Sequence, residues 1–490
     1  MSTFSGLGTA LSSLIAQRMA LDVAGQNIAN VNTPGYTRQR ADMTSIAGTV
    51  VPSMFSTNDG VGNGVQITGI SRLGDLFLDT RVRTETAGAS FLSARASAYT
   101  TLEAGLGEPG ETGLANQLSD MWNAWQDLAN TPDKTSAGAV VLENSRAVAD
   151  RIATLYSNVR TQWDQSRAST VALVAEANAA AANVADLNAR ILQIQNSGGS
   201  ANELMDQRDL LVTQLSSLVG ASASYREDGQ VDVLVGGNAL VSGARSHALA
   251  VQGATSFAAA TGDADAVPPV PGQSVTVVWA ENPGRGAGLD GGEVAGLLTV
   301  LAPPDGTGNG GALTEAAASL DDLATALATQ VNALHNGART VPVPPATVGD
   351  LGGDFFSFDA GQPPALGLRV AIETPADIAV AADGAGALDG SVAKAIGDLG
   401  KAAGSPDSLW SKTVVDIGSR TASLTARAKV AEVARAAAES QQLAQASVNE
   451  DEETINMLAF QRGYEAASRV LTSIDEMLDT LINRTGIVGR

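Results

Sequence analysis

The chain has 490 residues, 44% of them apolar, and carries 52 Asp and Glu against 30 Lys and Arg, a formal net charge of −22. A chain this acidic is repelled by nucleic-acid phosphates and by anionic lipid, so no nucleic-acid partner and no membrane insertion are expected. It has no cysteine, which excludes disulfides, thiolate nucleophiles and Cys-based zinc sites.

The length predicts two to four domains, and the aromatic content of only 4%, beside abundant Ala and Gly, predicts long, closely packed helices. At the N-terminus Phe4, Leu7, Leu11, Leu14, Leu21 and Ile28 recur at three-and-four spacing, the seam of a helix that packs on another helix. Gly, Ser and Thr interrupt the apolar residues before Arg18, so no Sec-type signal is read. No apolar run approaches the roughly 18 residues that a membrane span needs. By these signals the protein stays in the cytoplasm unless it leaves by a route without a cleaved signal. The helix ends in Asn27-Ile28-Ala29-Asn30-Val31-Asn32-Thr33-Pro34-Gly35-Tyr36, where Pro34 and Gly35 suit the two corners of a turn. Extended chain is expected from Thr37 to Val51. The cluster Asn58-Asp59-Gly60-Val61-Gly62-Asn63-Gly64 reads as a turn rather than a phosphate loop, because a strand (Val65, Ile67, Ile70) and not a helix follows it.

Helices are predicted from Asp75 to about Gly107 and from Gly113 to Asn130. In the second, Trp122 and Trp125 share one face and read as core anchors. The longest periodic run, Ser136 to Gln195, is broken at Gly198-Gly199. Ser200-Ala201-Asn202-Glu203 has the form of a capping box that starts the second arm of a helical hairpin, ending at Gly220. The texture then turns β-like. Asp228-Gly229 is a hairpin turn, Val231, Val233 and Val235 alternate, and Ser274 to Trp279 is a second strand. Leu313 to His335 is helical again. Phe355, Phe356 and Phe358 suggest a small core, Leu366 to Ile372 a strand, and Ala376 to Ala382 stays open between helix and strand. From Leu409 the chain is helical almost to its end. Glu450-Asp451-Glu452-Glu453 opens a final helix, where each acid stabilises the positive end of the dipole by about 0.3–1 kcal/mol. That helix has a second seam: Met457, Phe460, Tyr464, Leu471, Ile474, Leu478 and Leu481.

The expected architecture is mainly α with an inserted β-rich domain, an α+β multidomain chain. Its terminal helices form a coiled coil, a long helical hairpin or bundle forms the core domain, and a β-rich domain lies outside. Residues 1–60 supply the N-terminal helix and extended segment of the terminal domain, and 61–220 the helical core. Residues 221–290 are the β-rich insertion, 291–340 a helix returning to the core, and 341–405 a small mixed outer region. Residues 406–445 give a further core helix and 446–490 the C-terminal helix of the terminal domain. No catalytic constellation is found, and no enzyme activity, metal or cofactor is expected. His247 and His335 stand alone, and Asp321-Asp322 lies on an Ala-rich helix where solvated carboxylates are the default.

Asn27 to Tyr36, with Asn27, Asn30, Asn32, Thr33, Pro34, Gly35 and Tyr36 as its marked residues, resembles the N-terminal motif of the bacterial flagellar rod, hook and hook-associated proteins. The continuation through Thr37-Arg38-Gln39 resembles the hook-associated branch. So does the C-terminal Phe460-Gln461-Arg462-Gly463-Tyr464-Glu465-Ala466-Ala467. Gly229 to Val241 and Leu320 to Gly337 resemble the same branch's interior. The resemblance implies a structural subunit of the hook–filament junction, needed for filament assembly, whose terminal helices form a coiled coil lining an axial channel. Another axial protein (hook, rod or hook-associated protein 3) is the alternative. The implied partners are further copies of the chain, the hook protein, hook-associated protein 3 (FlgL) and the export chaperone FlgN at the C-terminal helix. The implied location is the extracellular flagellum, reached unfolded through the type III export apparatus. On this expectation both leucine seams are assembly faces that become buried only among neighbouring subunits.

Overall fold

A computed structural model describes residues 3–47, 62–263, 268–343, 346–386 and 388–484. The turn read from Asn58 therefore lies outside the described residues as far as Val61, as does the extended reading from 48 to 51.

Among the described residues nine helices of nine or more residues carry the fold: α1 (Thr3–Ala29), α2 (Leu76–Leu106), α3 (Leu114–Asn130), α4 (Thr135–Asn196), α5 (Asn202–Val219), α6 (Gly292–Val300), α7 (Ala312–His335), α8 (Pro406–Ala446) and α9 (Glu450–Asp479). Their ends follow local chemistry. Asp75 precedes α2 in an extended conformation and accepts from the backbone N–H of Phe77 and Leu78, and Gly107 closes the helix with φ of 68°. Ser405 caps α8 with Pro406 at its first position, and Asn449 caps α9 by accepting from Asp451 and Glu452. At α5 the expectation fails. Its cap position is Ala201, with no side-chain cap. The Glu203 carboxylate of the supposed capping box accepts instead from Gln39 Nε2 at 3.3 Å. A tertiary partner has outcompeted the local one.

The central spine is α4, whose 62 residues span roughly 93 Å at 1.5 Å per residue. Its first half joins α2, α3, α7 and α8 in one core built on Trp125, Trp163, Leu118, Ile152 and Leu327. Trp122 and Trp125 are both buried there. The Trp122 indole donates to Asp407 on α8 at 2.7 Å, so the polar edge of a core ring is satisfied. Helix α6 crosses α2 at close range. A Cβ at Gly296 would lie 2.6 Å from the Phe91 carbonyl oxygen, so only glycine fits that crossing.

The second half of α4 and α5 support the β-rich stretch. Strands β3 (Ser222–Tyr225), β4 (Val231–Val235), β5 (Asn238–Ser242) and β6 (Arg245–Ser246) form an antiparallel sheet in chain order. Beside it lies a three-stranded sheet of β7 (Leu249–Gln252), β8 (Thr276–Trp279) and β9 (Asn282–Gly286), with β8 in the middle. The alternating Val231, Val233 and Val235 point into a core shared with Val184, Val212 and Leu215, so this region folds onto the helices. The buried Asn188 of α4 fastens it, donating to the carbonyls of Val231 and Gly243 and accepting from the Val231 N–H.

Around the end of α7 lie two small two-stranded sheets, 338–340 with 379–382 and 356–358 with 368–370. Ala379–Ala382 is a strand after a single 3-10 turn, which resolves the stretch left open above. Residues 364–367 are a helical turn, so the strand expected from Leu366 is shortened to Leu368–Val370. Phe355 is buried against Trp125 and His335 and Phe356 against Phe355, whereas Phe358, the last residue of its three-residue strand, is exposed.

At one end of the molecule α1 and α9 pack side by side, with the hairpin of β1 (Gln39–Ser45) and β2 (Val65–Arg72) against α1.

Candidate functional site

Where this terminal pair meets the core, the motif residues build a clasp. Thr33-Pro34-Gly35-Tyr36 is a turn closed by the Tyr36 N–H to the Thr33 carbonyl at 3.2 Å, with Gly35 at φ +77°. Pro then Gly at the two corners is the type II arrangement. Asn30 stiffens the approach, its Nδ2 donating to the Gln26 carbonyl and its Oδ1 accepting from the Thr33 hydroxyl. Asn32 and Pro34 are exposed on the rim of the turn.

The turn returns the chain so that Tyr36 and Gln39 face Asn27, which is almost wholly buried. Asn27 Oδ1 accepts from the Tyr36 hydroxyl at 2.9 Å and from the Gln39 N–H at 3.0 Å. Its Nδ2 donates to the Gln39 carbonyl at 2.9 Å and to Glu453 Oε2 at 3.0 Å. All the hydrogen-bonding capacity of this amide that burial makes costly is thereby used. Arg38 closes the other side. Its guanidinium holds Glu453 Oε1 at 2.6 Å and Glu452 Oε2 at 2.9 Å, and its N–H donates to the Ala446 carbonyl at the end of α8.

Beneath the clasp, α5 binds the same strand. The Thr37 N–H donates to Asp206 Oδ2 at 3.1 Å, and Asn202 Nδ2 reaches both Gln39 Oε1 and the Ile70 carbonyl at 3.0 Å. Arg72 of β2 spans Asp206 and Asp209 at 2.8 and 2.7 Å. Burial holds the Asp206 carboxyl above its ordinary value, and Arg72 and the Thr37 hydrogen bonds pull against it. The Tyr36 phenol is pushed up to about 12, by burial first and then by Asp206, Glu203 and Glu453. Both shifts mark a cluster taken out of water.

The two seams divide between faces. On α1 the buried residues are Ala10, Ala16, Ala20, Val23, Ala24 and Asn27, not the leucines. Leu7, Leu14, Leu21 and Ile28 are half-buried and Leu11 is 49% exposed, beside exposed Ile15 and Met19. Small residues on the inner face let the helix axes approach closely, which pushes the larger side chains to the flanks. On α9, Ile474 and Ala467 are buried, and Met457, Phe460, Leu471 and Leu478 are half-buried on the same face. Tyr464, in line with Met457 and Leu471, is 37% exposed, Leu481 just past the end of α9 is exposed, and Ile455, Leu458, Val470 and Met477 are exposed on the other sides of the helix. The terminal helices thus cover one another within a single chain, contrary to the expectation that both seams stay uncovered until assembly.

The residues that sequence reasoning missed are Arg38, Glu453, Asp206 and Asn202. One signal was available: Ala10, Ala20, Ala24 and Asn27 follow helical spacing, which puts Asn27 on a packed face. Glu453 gave none, being one acid among four at a helix start.

Nothing in the clasp is arranged for catalysis. Among the described residues no group of three or more His, Asp or Glu could hold a metal ion, and no helix is long and apolar enough to cross a membrane. His247 pairs with Glu281, and His335 is buried between backbone groups.

Known proteins resemble the chain along its whole length. The flagellar hook-associated protein FlgK helical domain matches residues 99–356. The flagellar basal body rod FlgEFG protein C-terminal region matches 439–484, and the flagella basal body rod protein family matches 7–37. Flagellar hook-associated protein 1 of Bacillus subtilis is 30% identical over 530 aligned residues, covering all of both chains. That of Escherichia coli is 28% identical over 363, covering 74% of this chain and 61% of the relative. The hook junction protein FlgK of Burkholderia pseudomallei shares the fold, with a TM-score of 0.60 at 15% identity over 74% of this chain and 99% of its own.

A helical core carried between two clasped terminal helices, with rod-type matches at both ends, defines a structural axial protein of the bacterial flagellum. Within that class the chain belongs to the FlgK family, the flagellar hook-associated proteins 1.

Proposed function

We propose that the subunit forms a layer of the hook–filament junction, packing the outer faces of its α1–α9 pair against neighbouring copies. The observation that carries this reading is the uncovered apolar stripe along that pair: Leu11, Ile15 and Met19 on α1, and Ile455, Leu458, Val470 and Met477 on α9. Exposed apolar surface of this extent on helices already paired with each other marks an interaction face. The high negative charge keeps free subunits apart until they reach that site.

In this reading the layer has the hook protein on one side and hook-associated protein 3 (FlgL) on the other. The subunit travels unfolded through the flagellar type III export apparatus to the cell exterior, with its C-terminal helix held beforehand by the chaperone FlgN. A chain without cysteine suits such threading, since no disulfide can form on the way. The test is a deletion strain. Intact hooks with flagellin secreted as free monomer are expected, and the wild-type chain should restore filaments. Cells lacking hooks, or normal swimming, would overturn the reading.

A further inference from the structure

The α1–α9 pair is antiparallel and keeps one register along its length. A Cβ at Gly6 would lie 3.2 Å from Ile474 Cδ1, and one at Gly463 would lie 2.8 Å from Gln17 Cδ. Asn27 meets Glu453. The eleven residues from Gly6 to Gln17 match the eleven from Ile474 back to Gly463, and the ten from Gln17 to Asn27 match the ten from Gly463 back to Glu453. Little else on the buried face of α1 specifies that alignment. Apart from Asn27 that face consists of Ala10, Ala16, Ala20, Val23 and Ala24, all small and apolar, none of which has a polar group that a slip would leave without a partner. On α9 the corresponding shift exchanges Ile474, Ala467 and Phe460, all apolar. The chain connection does not forbid a slip either. Only Ser447 to Asn449 separate α8 from α9, but the last turns of α8 are largely exposed, with Leu443 among the exposed apolar residues, and can unwind.

We infer that the Asn27–Glu453 pair sets the register of the terminal helices, acting as a positioning device and not as a source of stability. Glu453 is the one charged residue of α9 that is buried, and its two oxygens are divided between the two arms of the motif: Oε2 takes Asn27 from the end of α1, Oε1 takes Arg38 from the strand that leaves the turn. A slip by one heptad moves Phe460 opposite Asn27 and strands a buried amide and a guanidinium together. Burying polar groups without partners is the penalty that makes one alignment preferred over its neighbours. The same pair fixes which outward apolar residues of α1 and α9 lie abreast, and so the shape of the face offered to other subunits. This inference concerns the single chain and stands whether or not the junction reading holds.

The absence of native cysteine makes the test direct. In the full-length monomer, Gln17→Cys is combined in turn with Gly463→Cys, Asn456→Cys and Val470→Cys, and each pair is oxidised under identical conditions. With Asn27 and Glu453 intact, the 17–463 cross-link is expected to dominate. In the Asn27→Leu/Glu453→Leu background its advantage over the pairs one heptad away should fall about five-fold or more, the factor that ~1 kcal/mol commands. Helicity by circular dichroism is expected to hold, because two buried polar groups have been replaced by apolar ones. Glu453→Gln, which keeps an acceptor for Asn27, should retain the 17–463 preference in an otherwise native chain. An unchanged preference in the double Leu variant would overturn the inference and assign the register to the Arg38–Ala446 backbone bond. Loss of all three cross-links would overturn it as well, since the pair would then be holding the helices together and not aligning them.

Discussion

Asn27 and Glu453 lie 426 positions apart in the chain and meet at 3.0 Å in a site closed to water. That contact joins the first helix to the last, and Arg38 on the same carboxylate joins both to the strand that enters the core. A family motif that begins as a run of asparagines is thus the mortise for a helix at the opposite terminus. Its neighbours Asp206 and Asn202 show why the motif extends past the turn to Gln39: α5 reads the backbone and side chains of that strand directly.

Tyr36→Phe removes one of the two donors to Asn27 Oδ1 and leaves the Gln39 N–H in place. Docking of the terminal pair onto the core should weaken by about 1 kcal/mol, the net worth of one such bond. Faster hydrogen exchange confined to α1 and α9 would report it. The phenol's pKa, pushed up to about 12, also gives a pH signature. Its folded value lies above the unfolded value of about 10, so its contribution is complete below pH ~10 and is lost as pH rises towards 12. The phenylalanine variant should lack that alkaline loss.

Leu11→Asp and Ala20→Leu should have opposite consequences. Leu11 is half exposed in the single chain, so a charge there should leave the monomer's melting curve unchanged while filaments fail to form on cells. Ala20 is 2% exposed in the seam, and enlarging it should cost about 1–3 kcal/mol through overpacking. A monomer equally disturbed by both would mean that the flank bearing Leu11, Ile15 and Met19 is covered within the chain. Leu471→Asp belongs with Ala20→Leu, since Leu471 shares the inner face of α9.

Much of the fold was legible in the sequence because long helices repeat their pattern many times. The limits of α2, α3, α4 and α7 fall within a few residues of the positions that Gly107, Asn130, Gly198-Gly199 and His335 suggested. The site was less legible. Hydropathy ranks leucine above alanine, so the stripe of Leu7 to Ile28 drew attention, while close packing was made by Ala10, Ala20 and Ala24. Local patterns also lose to distant partners: Ser200 and Glu203 have capping-box spacing, but Glu203 is engaged by Gln39 from 164 positions away. Glu453 could be singled out from Glu450, Asp451 and Glu452 only once Arg38 and Asn27 were seen beside it.

Gly35→Ala tests the turn itself. At φ +77° a side chain is disfavoured whatever the space, and a Cβ there would make only ordinary contact with Leu210 at 3.5 Å. The cost should therefore be conformational, about 1–2 kcal/mol, with no clash to relieve. Gly35→Asn, which tolerates the left-handed region better, should recover part of it. Thermal melts of the three chains, followed by a probe on α9, would rank them Gly, Asn, Ala. Equal melts would show that the turn relaxes when its second corner changes.

His335 makes the outer sheets sensitive to acid. Its Nε2 accepts from the Ala379 N–H at 2.9 Å, which leaves Nδ1 to carry the proton and donate to the Gly353 carbonyl at 2.6 Å. The rings of Trp125 and Phe355 pack against it, and Asp354 is the nearby charge. Burial holds the imidazole below its ordinary value, against the opposing pull of the Gly353 hydrogen bond and Asp354. The folded pKa is the lower one, so the neutral ring's contribution is present above the unfolded value of about 6.5 and is lost as pH falls towards and through the folded pKa. Protonation would set an N–H against the Ala379 N–H and release the 379–382 strand from α7. Protection of the Ala379 amide from hydrogen exchange, relative to its intrinsic rate at each pH, should therefore fall on acidification while protection in α4 does not. His335→Leu should remove that pH dependence and cost about 1–3 kcal/mol at neutral pH by leaving the buried Ala379 N–H without its partner. Protection at Ala379 that is flat with pH in the native chain would show that the strand is held by its pairing with 338–340 alone.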